Sequence, residues 1–316
     1  MGYARAIPEK AAVNIGECVL QVEQAFQNAD LHYGHGTDNA RDEAVWLVLH
    51  VAGGPLDGSF QHWQQVLGNP QQLQIEKLAK TRVDSRKPLA YLLGSAWFAG
   101  LEFAVNEQVL VPRSPIAELV QEQFSPWIDA AKASRLLDLC TGSGCIAIAS
   151  AVYLPQARID ASDISASALQ LAAQNVARHG VAGQVRLLQS DLFTELTGEV
   201  YDLIVTNPPY VAETGKEQIP DEYRAEPGLG LFSGEDGLDL CLRIMLQSPK
   251  FLRNGGVLIC EVGESAGRLA QALPEVPFMW LEFQSGGEGV FQLGRNELLQ
   301  ANLAIAALIE ESASVG

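Results

Sequence analysis

Four consecutive residues, Asn207, Pro208, Pro209 and Tyr210, suit one kind of chemistry. A planar amide or aryl amine is a poor nucleophile because its nitrogen lone pair is delocalised. The Asn207 side-chain oxygen and the Pro208 carbonyl are two fixed acceptors that can hold both N–H protons of such a group. That aims the lone pair at an electron-poor carbon and favours the pyramidal nitrogen of the transition state. Proline sets its own φ and restricts the residue before it, so the carbonyls are aimed in advance. Tyr210 can stack on the planar acceptor. A plain proline turn would need neither Asn nor Tyr beside it, so Asn207, Pro208 and Tyr210 are the expected catalytic residues. No Asp or His is assigned as a general base, because the nitrogen loses its proton only as the carbon arrives, or after. His32 and His35 are expected to face solvent or to dock substrate. Cys145 is expected to serve packing.

Three further groups could build a nucleoside pocket. Leu136–Leu139 is apolar apart from Asp138 and runs into Gly142 and Gly144 before another apolar stretch. Glycines there let a ligand approach the backbone, and the following helix start offers free N–H groups. Gly142, Gly144 and Ala147 also satisfy the loose dinucleotide fingerprint, with Asp163 at a fitting distance for a ribose acid. A nicotinamide dinucleotide therefore stays in play at this point, although Asp138 would repel its pyrophosphate. Asp163, at the end of the next apolar run, is expected to accept both ribose hydroxyl protons; Ser165 already suits the helix-capping job. Asp191 is expected to accept from an adenine amino group, and Phe193 to pack on the adenine ring.

These residues need a frame that gathers them. From Arg135 onward the pattern alternates between strand and helix. The expected strands are Leu136–Cys140, Arg158–Ser162, Val185–Gln189, Tyr201–Thr206, Val257–Val262, Met279–Phe283 and Gly289–Leu293. Only Gln284–Glu288 separates the last two, too short for a parallel crossover, so they should pair antiparallel. Five parallel strands and a closing antiparallel hairpin make an α/β, Rossmann-like sheet. It follows the plan of class I S-adenosylmethionine-dependent methyltransferases, not that of dinucleotide dehydrogenases. Methyltransferases of this plan place an acid at the position of Asp138, to hold the loop and the amino end of the cofactor. A helix should follow at Glu297–Ile309. Upstream, helical spacing over Ala11–Leu31, Asp38–His50 and Gln71–Arg82 marks a small helical domain. Between the two, Phe103, Val105, Val109 and Val111 alternate about a turn near Asn106 and Glu107, a hairpin signal that ends in Pro112–Pro115. The expected division is 1–95 helical domain, 96–114 hairpin linker and 115–316 catalytic domain.

The chain has 316 residues, 47% apolar and 19% charged, which is globular stock. Acidic residues number 38 and basic ones 21, a net charge of −17. Such a chain is a poor clamp for nucleic-acid phosphates and would attract a basic partner. No apolar run reaches the roughly 18 residues that span a bilayer, and Met1–Lys10 shows no leader pattern. Cys18, Cys140, Cys145, Cys241 and Cys260 form no CxxC pair. That argues against a metal site or a disulfide framework and for a reducing cytoplasm.

The tetrad at 207–210 marks methyltransferases that act on planar nitrogen, and the whole chain resembles the protein glutamine methyltransferase family. The matching stretches are 33–39, 97–103, 109–119, 138–148, 202–211, 222–227 and 258–263. Within that family Arg113 followed by Ser114, Pro115 and Ile116 is similar to the branch acting on the third large-subunit ribosomal protein, not the branch acting on peptide release factors. The resemblance implies S-adenosylmethionine as cofactor and S-adenosylhomocysteine as product. It implies that Cys140, Thr141, Gly142, Ser143 and Gly144 line the cofactor site with Asp138, Asp163, Asp191 and Phe193. It implies that Asn207, Pro208, Pro209 and Tyr210 hold the glutamine, with Phe98 covering them. Cys140 stands where many relatives have glycine. The implied partner is a basic ribosomal protein, free or in an early assembly intermediate. Release-factor methylation, adenine methylation in DNA, a dehydrogenase and a non-catalytic assembly factor are the competing readings. The acidic charge speaks against DNA, the hairpin plan and the tetrad against the dehydrogenase, and an intact Asn207 against the assembly factor.

Overall fold

The computed structural model describes residues 13–284 and 286–315; Met1–Lys10, read above for a leader, lies outside them. The chain divides into two compact units, and the first runs to Gly94 and also takes in Pro220–Ala225. It contains α1 (Ile15–Asn28), α2 (Ala40–Ala52), α3 (Asn69–Ser85) and α4 (Leu89–Leu93). Asn14 and Glu17 form a reciprocal capping box that starts α1, and Asn39 caps α2. Phe26, Leu47 and Ile75 pack the core of this unit.

Segment 220–225 lies far from these helices in sequence, and charge holds it to them. Arg82 is only 1% exposed; it donates to Glu43 at 2.6 Å, to Glu222 at 3.3 Å and to the His32 carbonyl at 3.0 Å. Glu222 also accepts from the His32 amide at 3.0 Å. A buried guanidinium needs such partners, and losing one would leave an uncompensated charge. His35, expected at the surface, is instead buried, with its ring centroid 4.5 Å from that of Tyr223.

The second unit comprises Ser95–Ile219 and Glu226 onward. It opens with a hairpin of β1 (Ser95–Phe98) and β2 (Leu101–Ala104), followed by α5 (Ile116–Gln121). The hairpin sits earlier than the sequence pattern placed it. Ala99 and Gly100 both have positive φ, at 49° and 78°, as a two-residue turn of this hand requires. The turn at Asn106 does form, since Val109 donates back to the Asn106 carbonyl, but no second strand follows. The Val111 amide is taken by Glu226 and Pro112 has none to give.

The main sheet consists of β3 (Arg135–Leu139), β4 (Arg158–Asp163), β5 (Val185–Gln189), β6 (Tyr201–Thr206), β7 (Leu252–Glu261), β8 (Met279–Trp280) and β9 (Val290–Gly294). Its order is β5-β4-β3-β6-β7-β9-β8, with the first five strands parallel and the last two antiparallel. The fold class is thus the expected one. β7 begins five residues before the expected start, and β8 ends at Trp280, after which the Leu281 amide still donates to the Val290 carbonyl of β9. Strand residues alternate between two cores, Leu136 and Leu203 on one face, Leu137 and Ile204 on the other. The first face is covered by α5, α6 (Cys145–Tyr153) and α7 (Ala166–Arg178). The second is covered by α9 (Asp239–Gln247), α10 (Ala266–Ala272) and α11 (Arg295–Val315), while α8 (Gly228–Leu231) is a single turn. Among the described residues no helix is long and apolar enough to cross a membrane. Strand order reverses between β4 and β6, with β3 at the pivot, and there the carboxyl ends open a crevice.

Candidate active site

A cleft of about 610 Å³ opens at that edge of the sheet. Cys140, Thr141, Gly142, Ser143, Asp163, Asp191, Asn207, Pro209 and Tyr210 all line it. Residues from four strand ends, separate in sequence, thus share one cavity.

The loop after β3 is ordered from beneath by Asp138, which is fully buried. Its Oδ2 accepts from the Thr141 hydroxyl at 2.5 Å and from the Ala147 amide at 3.0 Å, inside the first turn of α6. The helix start is therefore already served by a carboxylate, which leaves that amide unavailable to a pyrophosphate. Asp138 Oδ1 is buried without a hydrogen-bond partner. Burial pushes this carboxyl up to about 7. Cys140, Gly142 and Gly144 take the left-handed backbone, with φ of 58°, 56° and 81°. Glycine bears this freely and cysteine at a cost of about 1–2 kcal/mol. Gly142 has open space where a side chain would stand. A Cβ on Gly144 would come 3.0 Å from Ile148 and 3.2 Å from Ala172, so this glycine serves the contact between α6 and α7.

Asp163 ends β4 half-buried. It accepts from the Gly142 amide at 2.9 Å and the Ser165 amide at 2.8 Å, while Ser165 caps α7 as expected. Burial raises the Asp163 carboxyl above its usual range. Asp191 stands at the rim, where both its oxygens accept from Arg243 at 3.0 Å. Cys145 lines the cleft, and burial pushes its thiol up to about 12, which fits packing and not nucleophilic use.

Asn207 follows β6, whose Thr206 hydroxyl is bonded to the Leu139 carbonyl at 2.8 Å. Among the described residues the half-buried Asn207 amide has no hydrogen-bond partner. The Tyr210 hydroxyl donates to Glu261 at 3.1 Å.

Three sequence expectations move. Phe193 does not line the cleft; it is 2% exposed and stacked on Phe251 at 4.5 Å. Leu192, with φ of 48°, takes the cleft position in its place. Phe98 is buried in the core edge-on to Phe103, so it covers nothing. Pro208 is buried and is not among the residues that line the cleft, as its neighbours Asn207, Pro209 and Tyr210 do. Other wall residues had no assigned role, among them Val109–Ser114, Leu240 and Arg243. Arg113 is gripped by Glu226 through two bonds of 2.6 and 2.7 Å. Its signal was the 109–119 stretch, which carried the family resemblance but no chemistry.

The sheet order and this cleft are those of a methyltransferase. The Methyltransferase small domain family matches residues 121–222, and the PrmC N-terminal domain family matches residues 28–94. The ribosomal protein uL3 glutamine methyltransferase of Xanthomonas campestris pv. campestris is 50% identical over 283 residues, 90% of this chain and 92% of that one. The protein of the same name from Xylella fastidiosa strain Temecula1 is 49% identical, over 90% of this chain and 91% of its own. A looser likeness is to the hMettl16 catalytic domain solved with MAT2A 3'UTR hairpin 6, 18% identical over 73% of this chain and 84% of that one, with a TM-score of 0.48. The chain belongs to the ribosomal protein uL3 glutamine methyltransferase family.

Proposed function

We propose that this protein transfers a methyl group from S-adenosylmethionine to the side-chain amide nitrogen of a glutamine in ribosomal protein uL3, leaving S-adenosylhomocysteine. The observation that carries the reading is the Asn207 amide, without a hydrogen-bond partner among the described residues and set in one cleft with Asp163 and the 140–143 loop.

The residues present fit the cofactor. The buried, unpartnered Asp138 oxygen can serve its amino end across the loop. The open space over Gly142 admits its backbone-hugging part. Asp163 keeps lone pairs for the ribose hydroxyls, and Asp191 stands at the rim for the adenine amino group. When bound, S-adenosylmethionine supplies an electrophilic sulfonium methyl. The chain's own task is to shape the acceptor. Asn207 Oδ1 holds one amide proton. The carbonyl of Pro208, which lies between the cleft-lining Asn207 and Pro209 although Pro208 itself does not line the cleft, takes the other once the acceptor is seated. Tyr210 lies against the amide plane. Held so, the nitrogen lone pair leaves conjugation and points one way. The Tyr210 hydroxyl is engaged by Glu261 and no histidine lines the cleft among the described residues, so no side chain is assigned to take the proton, which leaves the nitrogen for solvent water as the methyl arrives or after.

The net charge of −17 steers encounter with a basic protein and disfavours stable binding to RNA. The substrate is therefore free uL3 or an early assembly intermediate in the cytoplasm. Transfer of radiolabelled methyl should be offered free uL3, intact large subunits, a peptide release factor and duplex DNA side by side. Label on free uL3 alone is expected. Equal labelling of intact subunits refutes the free-protein substrate, and preference for release factor or DNA refutes the assignment itself.

A further inference from the structure

Glu261 closes β7 with its side chain almost wholly buried, and both of its oxygens are spent on residues that line the cleft. Oε1 accepts from the Tyr210 hydroxyl at 3.1 Å, and Oε2 accepts from the Ser114 hydroxyl. A buried carboxylate is expensive to keep, and a fold that needed only packing here would fill the space with an apolar side chain. The Tyr210 backbone is fixed as well, because the Ser265 hydroxyl donates to its carbonyl at 2.7 Å. The ring is walled by glycine: a Cβ on Gly263 would meet it at 2.6 Å. Ring, backbone and hydroxyl of Tyr210 are thus each held by a separate neighbour, and the hydroxyl's partner is the only charged one among them.

We propose that Glu261 is a positioning residue for the methyl acceptor, setting the plane of the Tyr210 ring against which the carboxamide lies and tying it to Ser114 on the facing linker. This rests on the reading of Asn207–Tyr210 as the amide-holding tetrad. Because Glu261 is not among the residues that line the cleft, its removal should disturb orientation and leave binding nearly intact.

The test is a cycle of Glu261→Leu, Tyr210→Phe and the double variant, assayed with free uL3. Leucine keeps the bulk and offers no acceptor to the Tyr210 hydroxyl. Each single change is expected to lower kcat about tenfold, with KM for uL3 and Kd for S-adenosylmethionine within about threefold of wild type. The double variant should be no more than about threefold worse than the poorer single, because both break the same bond. A wild-type kcat for Glu261→Leu, or losses that multiply in the double variant, overturns the proposal. Should Glu261→Leu fail to fold in a thermal melt, Tyr210→Phe decides, since it keeps the ring and removes only the bonded hydroxyl; wild-type kcat there is equally fatal. Asn207→Ala in the same assay separates the two levels. Full activity there overturns the tetrad reading, whereas its loss beside an intact Glu261→Leu overturns the positioning role alone.

Discussion

The end of the cleft proposed for the cofactor and the end proposed for the acceptor are ordered by different means. At the first, Asp138 accepts from the Ala147 amide nine residues on and Asp163 from that of Ser165 two residues on, and Asp163 also accepts from Gly142 across the neighbouring strand end. That end is a set of short-range bonds around one strand-to-helix turn and its neighbour. At the acceptor end the bonds are remote: Tyr210 to Glu261, Ser114 to Glu261, Arg113 to Glu226. Its central side chain, Asn207, is left without a partner among the described residues. One end is finished by itself and waits for a ligand that fits. The other is packed by distant elements, and its polar capacity is the part that the proposal assigns to the acceptor.

If the division is real, the two ends should fail separately. The largest effect belongs to Asn207→Ala. It should lower kcat by about 100- to 1000-fold, as loss of a transition-state hydrogen bond does, while calorimetry finds S-adenosylmethionine affinity within about threefold. Asp163→Ala should do the reverse. Cofactor Kd rises by about ten- to a hundredfold for the lost charged acceptor, and kcat at saturating cofactor stays near wild type. A joint fall of kcat and affinity in either variant would merge the two ends into one.

A smaller effect sharpens the cofactor end. Asp138 has its carboxyl raised to about 7 by burial, from an ordinary 3.8. Between those values the native state keeps a proton that the unfolded chain has released. The stability Asp138 contributes is therefore complete below about pH 4 and fades as pH rises through about 7. Asp138→Asn should remove that dependence, so the apoprotein's denaturation midpoint should shift less between pH 6 and pH 8 than in wild type. Equal shifts would place the titration elsewhere.

The same contrast explains what could be read from the sequence. The sheet was legible because its strands are apolar runs between glycine-rich turns, and the loop acids because they stand at the ends of those strands. Phe193 misled because Leu192 adopts a left-handed φ of 48° and breaks the alternation by which a strand end is projected into a cleft. The hairpin was displaced because Val109 and Val111 keep a strand's burial without its ladder; Glu226, more than a hundred residues away, takes the Val111 amide. Glu222 and Glu226 sit in one short stretch yet belong to different units, Glu222 bonded to Arg82 and Glu226 to Arg113. Glu261 was visible only as an acid ending an apolar strand, and its meaning required Tyr210 and Ser114 to be seen beside it.

The most direct measurement is tandem mass spectrometry of free uL3 after incubation with this protein and S-adenosylmethionine. One added methyl on a glutamine side-chain nitrogen, lost when Asn207→Ala replaces the wild type, is the expected spectrum. A methyl on any oxygen, on a lysine, or on glutamine with Asn207 absent would contradict the idea that two fixed acceptors make a carboxamide nucleophilic.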